Sequence, residues 1–319
     1  MEATGDHHKL TSRRQGVGII AAIERKLSAL EESNQEYLNQ TLQKVHARLS
    51  TLFNKFLDEQ IRAVEETKVK INKRKGVIAF IRIFPSFSTA IETMLTSAHD
   101  LEIRTTVNNA YIRINKAMFE SLKVIARETP GSQTTNTDPE DKEALNYQIL
   151  LIENMNHYLE EVDTRGNEVL DEWKSNAAQE MDEHMNLYLN AVVRRPLGKL
   201  LDTLESTESL MASRQPGEGF NKIAAMPSHS KSTFKKVLSN YDAKEIRKGI
   251  EGLKRRIAKH FGEGDEVLSQ GLVTKVLSGC ERFYERVEER ILIIGRDVYD
   301  GEIVAEWTRN DVSQAFRSK

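Results

Sequence analysis

Apolar residues recur at steps of three and four through almost the whole chain, and this spacing limits the possible folds more than any other feature. The clearest case is a row near the C-terminus, formed by Val273, Val276, Cys280, Phe283, Val287, Ile291 and Ile294. Such steps place side chains on one face of an α-helix, so the row predicts a long helix packed along that face. By the same pattern we expect Trp173, Phe283, Val287 and Ile291 to be largely buried.

Strand patterns are scarce by comparison. Residues 77–84 are β-branched and aromatic enough to form a strand, but the chain offers them no neighbouring strand to pair with. We interpret them as helix or as an irregular connection. The sequence therefore predicts an all-α fold.

Polar segments rich in Pro, Gly, Ser, Thr and Asn divide the chain. Four of the six prolines fall in residues 129–140 and 214–230, and such clusters mark loops. We predict an elongated rod of two stacked antiparallel helical bundles with about nine or ten helices. The first bundle spans residues 1–128, with roughly the first 15 disordered; residues 129–140 form a linker, and the second bundle spans 141–319 with a loop at 212–230.

Helix starts have their own sequence patterns. Asp242 followed by Glu245 resembles a capping box, in which the first side chain accepts a hydrogen bond from the backbone of the second. Pro85 and Pro196 stand at the starts of apolar-periodic segments, so we expect each in the first turn of a helix, where proline is tolerated.

Composition places the chain among soluble, helix-rich proteins: 39% of its 319 residues are hydrophobic and 29% are charged. No apolar run reaches the roughly 18 residues that a membrane span requires, and the polar N-terminus lacks the apolar core of a secretory signal. The single cysteine, Cys280, is expected to be a buried apolar residue. These features predict a cytoplasmic protein.

Motifs for catalysis or cofactor binding are not found. Residues 16–21 match a glycine-rich dinucleotide fingerprint but lack the hydrophobic strand that must precede it. Neither a phosphate-binding P-loop nor the Glu-x-x-His motif of di-iron bundles occurs. We predict no cofactor, no metal, no small-molecule substrate and no enzymatic activity.

A basic segment is the main candidate for an interaction surface. Residues 67–91 contain no acid and carry six positive charges: Lys68, Lys70, Lys73, Arg74, Lys75 and Arg82. Three interpretations stay open, namely a solvated or internally paired face, a docking surface for an acidic protein, and a contact with anionic lipid. Nucleic acid is disfavoured because the chain as a whole has a net charge of −2.

The acidic counterpart of the basic segment lies within residues 140–193, which hold 13 acids and three bases. These residues could lie against the basic segment and orient the two bundles. Exposed ion pairs contribute only up to about 1 kcal/mol each, so apolar packing would still hold the bundles together.

Four long strings resemble one known family. They are DEQIRAVEETKVKINKRKGVIAFIRIFPSF (58–87), NYQILLIENMNHY (146–158), VRRPLG (193–198) and HSKSTFKKVLSNYD (229–242). The chain resembles, over roughly residues 40–317, the C-terminal helical region of the fungal exocyst subunit Sec-three, of the multisubunit tethering complexes.

This resemblance implies a rod of stacked helical bundles that helps to tether secretory vesicles to the plasma membrane before fusion. It also implies other exocyst subunits as partners and a location that is cytoplasmic and peripheral at sites of secretion. The alternative is a peripheral membrane-binding helical protein that uses the basic segment, residues 68–82, on anionic lipid.

Overall fold

The structure is a computed structural model. It describes the backbone of residues 3–70, 76–127, 145–163, 166, 168–213, 219–262 and 266–318, and their side chains except for 3–14, 68–70 and 266–269. Eleven α-helices lie in these ranges: α1 Ala3–Leu30, α2 Glu36–Lys70, α3 Ala79–Met94, α4 Glu102–Arg127, α5 Asn146–Asp163, α6 Asp171–Ala212, α7 Asn221–Ala224, α8 Lys231–Leu238, α9 Ala243–Phe261, α10 Glu266–Tyr299 and α11 Arg309–Arg317. The described residues contain no β-strand, which confirms the all-α prediction. Of the helices described, none combines the length and apolar character needed to cross a bilayer.

The ambiguous segment at residues 77–84 leads into a helix. Ile78 is the N-cap of α3, and Ile81 and Phe84 are buried on its inner face. The interpretation as helix or connection is therefore confirmed.

The expectation for the two prolines is wrong. Pro85 is the seventh residue of α3, and Pro196 lies deep inside α6. A proline inside a helix removes one backbone hydrogen bond and costs about 3 kcal/mol. The apolar row of α3 continues through the proline to Ser88 and Ile91, both buried, so tertiary packing outweighs this cost.

The chain divides into two compact units, and the first comprises Met1–Ser132 and Leu150–Met181. Its core contains Phe84, Tyr111, Phe119 and Tyr158, all buried, with ring centroids 5.3 to 6.3 Å apart. Trp173 packs edge-to-face on Phe119 at 5.3 Å and remains partly exposed. The burial of Trp173 is therefore partial, because its other side borders an open groove.

The second unit comprises Gln133–Ile149 and Asp182–Lys319, and α10 packs on α9 and α11 in its core. Phe283, Val287 and Ile291 are buried, as predicted. Cys280 is also buried, and burial raises the pKa of its thiol to about 12. Asp242 caps α9 by accepting a hydrogen bond from the Glu245 amide at 2.8 Å, which confirms the predicted helix start.

The domain boundaries stay a prediction. The linker at 129–140 lies outside the described residues, and within 212–230 the structure places the short helix α7 and a 3-10 turn, Pro227–His229. The backbone of α1 begins at Ala3, and disorder of the first 15 residues in solution likewise stays a prediction.

Candidate protein-interaction surface

The basic segment lies between α2 and α3, and only part of it can be placed. Lys68 and Lys70 belong to the last turn of α2, but their side chains are outside the described part, as are all of residues 71–75, including Lys73, Arg74 and Lys75. Arg82 is exposed in the first turns of α3 and donates a hydrogen bond to the carbonyl of Val77 at 3.1 Å. A shared surface of all six cations therefore stays a prediction.

A clamp from α5 holds the chain inside the basic segment, between Lys75 and Arg82. The side-chain amide of Asn154 accepts a hydrogen bond from the Ile78 N–H at 2.8 Å and donates one to the Gly76 carbonyl at 3.2 Å. Glu153 adds a bond from the Gly76 N–H to its Oε2 at 3.1 Å. Gly76 has a φ of +74°, a conformation that favours glycine.

The clamp also explains how α3 begins. Ile78 has no side-chain oxygen to cap the helix, and an uncapped first turn leaves amide donors without partners. Asn154 supplies an acceptor from another helix at this position. The basic segment is thus fixed, at Gly76 and Ile78, to a helix that carries Glu153, Glu160 and Glu161.

His157 lies beside this joint, one helical turn after Glu153. It is 6% exposed, and neither ring nitrogen has a hydrogen-bond partner. Burial is the main cause that lowers the pKa of His157; Arg82 acts in the same direction and Glu161 opposes it. A neutral imidazole at this position keeps added positive charge out of the core of the first unit.

Glu24, His46 and Glu102 form a separate cluster whose ligand atoms lie within 4.8 Å of one another. Such a set could offer a cation one nitrogen and two carboxylates. However, Glu24 already accepts hydrogen bonds from the His46 ring at 2.8 Å and from the Ile103 N–H at 3.1 Å. The contacts identify Glu24 as the residue that joins α1, α2 and the start of α4.

Two shallow grooves lie within the units. One, between α4 and α6, is bordered by Trp173 and by the ion pair of Lys123 with Glu180. The other, between α6 and α10, is bordered by Arg290, which donates two hydrogen bonds of 2.7 Å to Glu208. Lys123 and Glu180 at the first groove, and Arg290 beside the second, are thus engaged in structural pairs.

An exposed apolar row on α2 is the feature that the sequence reasoning missed. Leu38, Val45 and Leu52 are 37%, 42% and 56% exposed, although the spacing of seven residues is visible in the sequence. The spacing alone does not distinguish this row, because the same spacing in other helices marks buried faces.

Comparison with known families shows to which family the chain belongs. Residues 9–301 match the family described as exocyst complex component Sec3, C-terminal. The chain belongs to this family. The resemblance stated from the sequence is therefore confirmed, and it covers nearly all of the chain.

Three relatives of this Sec3 region carry the name Exocyst complex component 1. The chain is 25% identical to the protein of Mus musculus over 232 residues, 73% of this chain and 24% of the relative. Identity is 22% to those of Drosophila melanogaster and Dictyostelium discoideum, covering 74% and 76% of this chain and 24% and 26% of each relative. The chain thus spans about a quarter of the length of these relatives. No solved structure is significantly similar to it.

Proposed function

We propose that this chain is a non-enzymatic module of the exocyst that acts in exocytosis through contacts with other exocyst subunits. The observation that carries the proposal is the match of residues 9–301 to the Sec3 C-terminal family, together with relatives named Exocyst complex component 1. In this role the protein is cytoplasmic and acts peripherally at the plasma membrane, where secretory vesicles are tethered before fusion.

The mechanism we propose is mechanical. Two helical bundles stacked into a rod hold binding faces at a fixed separation, so that partner subunits assemble with a defined geometry. A compact globule of 319 residues would have a radius of gyration of about 20 Å. Small-angle scattering should give a clearly larger value for a rod, whereas a value near 20 Å would contradict the rod.

The basic segment is the contact surface that we assign within this function: Lys68, Lys70, Lys73, Arg74, Lys75 and Arg82. Its support is the absence of acids from residues 67–91 and the exposure of Arg82, which has no ion pair with a described residue. The Asn154 clamp adds support, because it fixes the segment at Gly76 and Ile78 and so lowers the entropy cost of binding.

Charge reversal tests this surface. The triple variant Lys73→Glu, Arg74→Glu, Lys75→Glu should keep its helical content, since surface substitutions usually change stability by no more than about 0.5 kcal/mol each. The immobilised chain is used to recover exocyst subunits from a cytosolic extract, and each subunit is quantified. The amount recovered should fall sharply for the variant. Added salt should weaken the unmutated contact too.

The matched control for this reversal is Lys235→Glu, Lys236→Glu, Lys244→Glu, which makes the same charge change on exposed residues of the second unit. If the control variant recovered as little of the subunits as the first variant, the change in net charge, and not the basic segment, would explain the loss. Unfolding of the first triple variant would instead make the segment an internal joint, and unchanged recovery would make it a solvated face.

Anionic lipid is the alternative partner of the same cations. Each Lys or Arg near a charged membrane contributes about 1 kcal/mol, so six could act together if they faced one way. Flotation of the chain with phosphatidylserine-containing liposomes decides between the two partners. A protein-docking surface predicts that the chain stays in the soluble fraction.

A further inference from the structure

Besides the basic segment, the first half of α2 carries another exposed surface to which no contact has been assigned. Apolar residues follow alternating steps of four and three: Leu38, Leu42, Val45, Leu49, Leu52 and Phe56. This is the spacing of a coiled-coil seam, which normally lies buried against a partner helix. Yet none of residues 31–52 is buried.

The bundle covers only one side of this seam. Toward α1 and α4 the contacts are close, because His46 pairs with Glu24 at 2.8 Å and Asp58 pairs with Arg113 of α4 at 2.7 Å. At about 100° per residue, Val45 and Leu52 fall on the edge of the apolar stripe away from His46, and Leu38 extends the same row by one heptad. Ile19 of α1, which is 52% exposed, lies level with Leu52 in the antiparallel register that Glu24 and His46 define.

Positive charge borders the exposed row. Arg48 and Lys55 occupy the positions that flank a coiled-coil seam, and Lys44 and Arg62 lie just behind them; all four are exposed. None of the four has an ion pair with a described residue. Glu59, an acid on the same flank, is already engaged in contacts of its own.

We propose that this seam of α2 docks an amphipathic α-helix whose apolar face is flanked by acidic residues. The apolar row supplies the area that a partner helix would remove from water, and the unpaired cations select acidic flanks. A second copy of this chain fits poorly, because it would bring a second set of the same cations to the seam.

This docking site rests on the proposed function only in one respect, namely that the chain acts through contacts with other proteins. Its test needs no exocyst subunit. The probe is a fluorescent synthetic helix of about four heptads with Leu and Ile at the seam positions and Glu at the flanking positions. A second peptide with Lys in place of Glu is the charge control.

Fluorescence anisotropy with the full chain should show binding of the Glu peptide and not of the Lys peptide. The variant Leu38→Ser, Val45→Ser, Leu52→Ser should bind about a hundredfold more weakly, since each half-exposed aliphatic side chain is worth roughly fivefold in affinity. The matched control Leu292→Ser, Ile293→Ser, Val304→Ser removes side chains that are 44%, 46% and 62% exposed elsewhere and should leave binding unchanged.

The charge part is tested with Arg48→Glu, Lys55→Glu, which should weaken binding of the Glu peptide and improve binding of the Lys peptide. Circular dichroism should show native helix content in all these variants, because every substituted residue is exposed. Equal binding by both peptides, or no difference between the two serine variants, would overturn the proposal. The proposal would also be overturned if the chain associated with itself and the serine substitutions in α2 abolished that association.

Failure of this peptide test leaves the proposed exocyst role standing, because that role is tested by recovery of named subunits through the basic segment. Conversely, the seam can bind the Glu peptide even if no exocyst subunit is recovered. The two results are therefore independent.

Discussion

Replacing Asn154 by alanine should destabilise the first unit without changing its helices. Asn154 is 0% exposed and makes three hydrogen bonds: two across the chain to Ile78 and Gly76, and one of 2.7 Å to the Leu150 carbonyl within α5. The substitution removes the acceptor of the Ile78 amide and the donor to the Gly76 carbonyl.

The magnitude follows from these two groups. A buried N–H left without a partner costs about 1–3 kcal/mol, and a hydrogen bond at a partly solvated carbonyl contributes about 0.5–1.5 kcal/mol. We therefore expect a loss of about 3 kcal/mol in the free energy of unfolding. For a unit of this size that corresponds to a midpoint lower by about 6–12 °C.

The control is Thr93→Ala. Thr93 is exposed in α3 of the same unit, and its hydroxyl donates to the carbonyl four residues earlier, that of Thr89, at 2.9 Å. It therefore has a bond within the helix, as Asn154 does, and lacks the two bonds across the chain. Alanine favours helix, so this control should be neutral or slightly stabilising.

The assay is urea unfolding followed by tryptophan fluorescence in a Trp307→Phe background. The chain has two tryptophans, and Trp173 in the first unit then reports alone. The indole nitrogen of Trp307 has no hydrogen-bond partner, so phenylalanine loses no polar contact there. If Asn154→Ala unfolded within about 0.5 kcal/mol of Thr93→Ala, the clamp would not stabilise the start of α3.

Three further predictions concern the core, pH and domain boundaries. Phe283→Ala should cost about 3–5 kcal/mol in urea unfolding, and a loss below about 1 kcal/mol would contradict close packing of its ring. Burial lowers the pKa of His157 below the ordinary 6.5. The unfolded chain therefore binds the proton more readily, and stability is lost as pH falls below 6.5. The thermal midpoint of His157→Phe should fall less than that of the unmutated chain over the same pH range. Residues 141–319 without 1–128 should give a broad, non-cooperative melt, because Tyr158 of α5 packs on Phe84 and Phe119 of the removed part; a single sharp transition would show that the second part has a core of its own.

The fold class was predictable because periodicity is a local property of the sequence. The row from Val276 to Ile294 identified the buried face of α10 because each side chain follows its neighbour by one turn. Pro85 was misplaced for the opposite reason. Local preference puts a proline in the first turn, but buried contacts on both sides of it extended the helix.

The interaction surfaces were only partly predictable. Composition identified the six cations of the basic segment, since a stretch without acids is visible in the sequence. The clamp from Asn154 joins residues separated by more than 70 positions, and no pattern along the chain indicates it. The partly open seam on α2 shows the same limit, since its spacing resembles that of a buried face.

The sequence by itself determined that the chain is helical, where many of its apolar faces lie and which family it resembles, because these depend on residue spacing and on long matching strings. Only the tertiary structure decided which apolar faces are covered and which polar groups are paired. Burial depends on what another part of the chain places against a helix. Leu52 and Phe56, one turn apart in the same row, therefore differ in exposure from 56% to 1%.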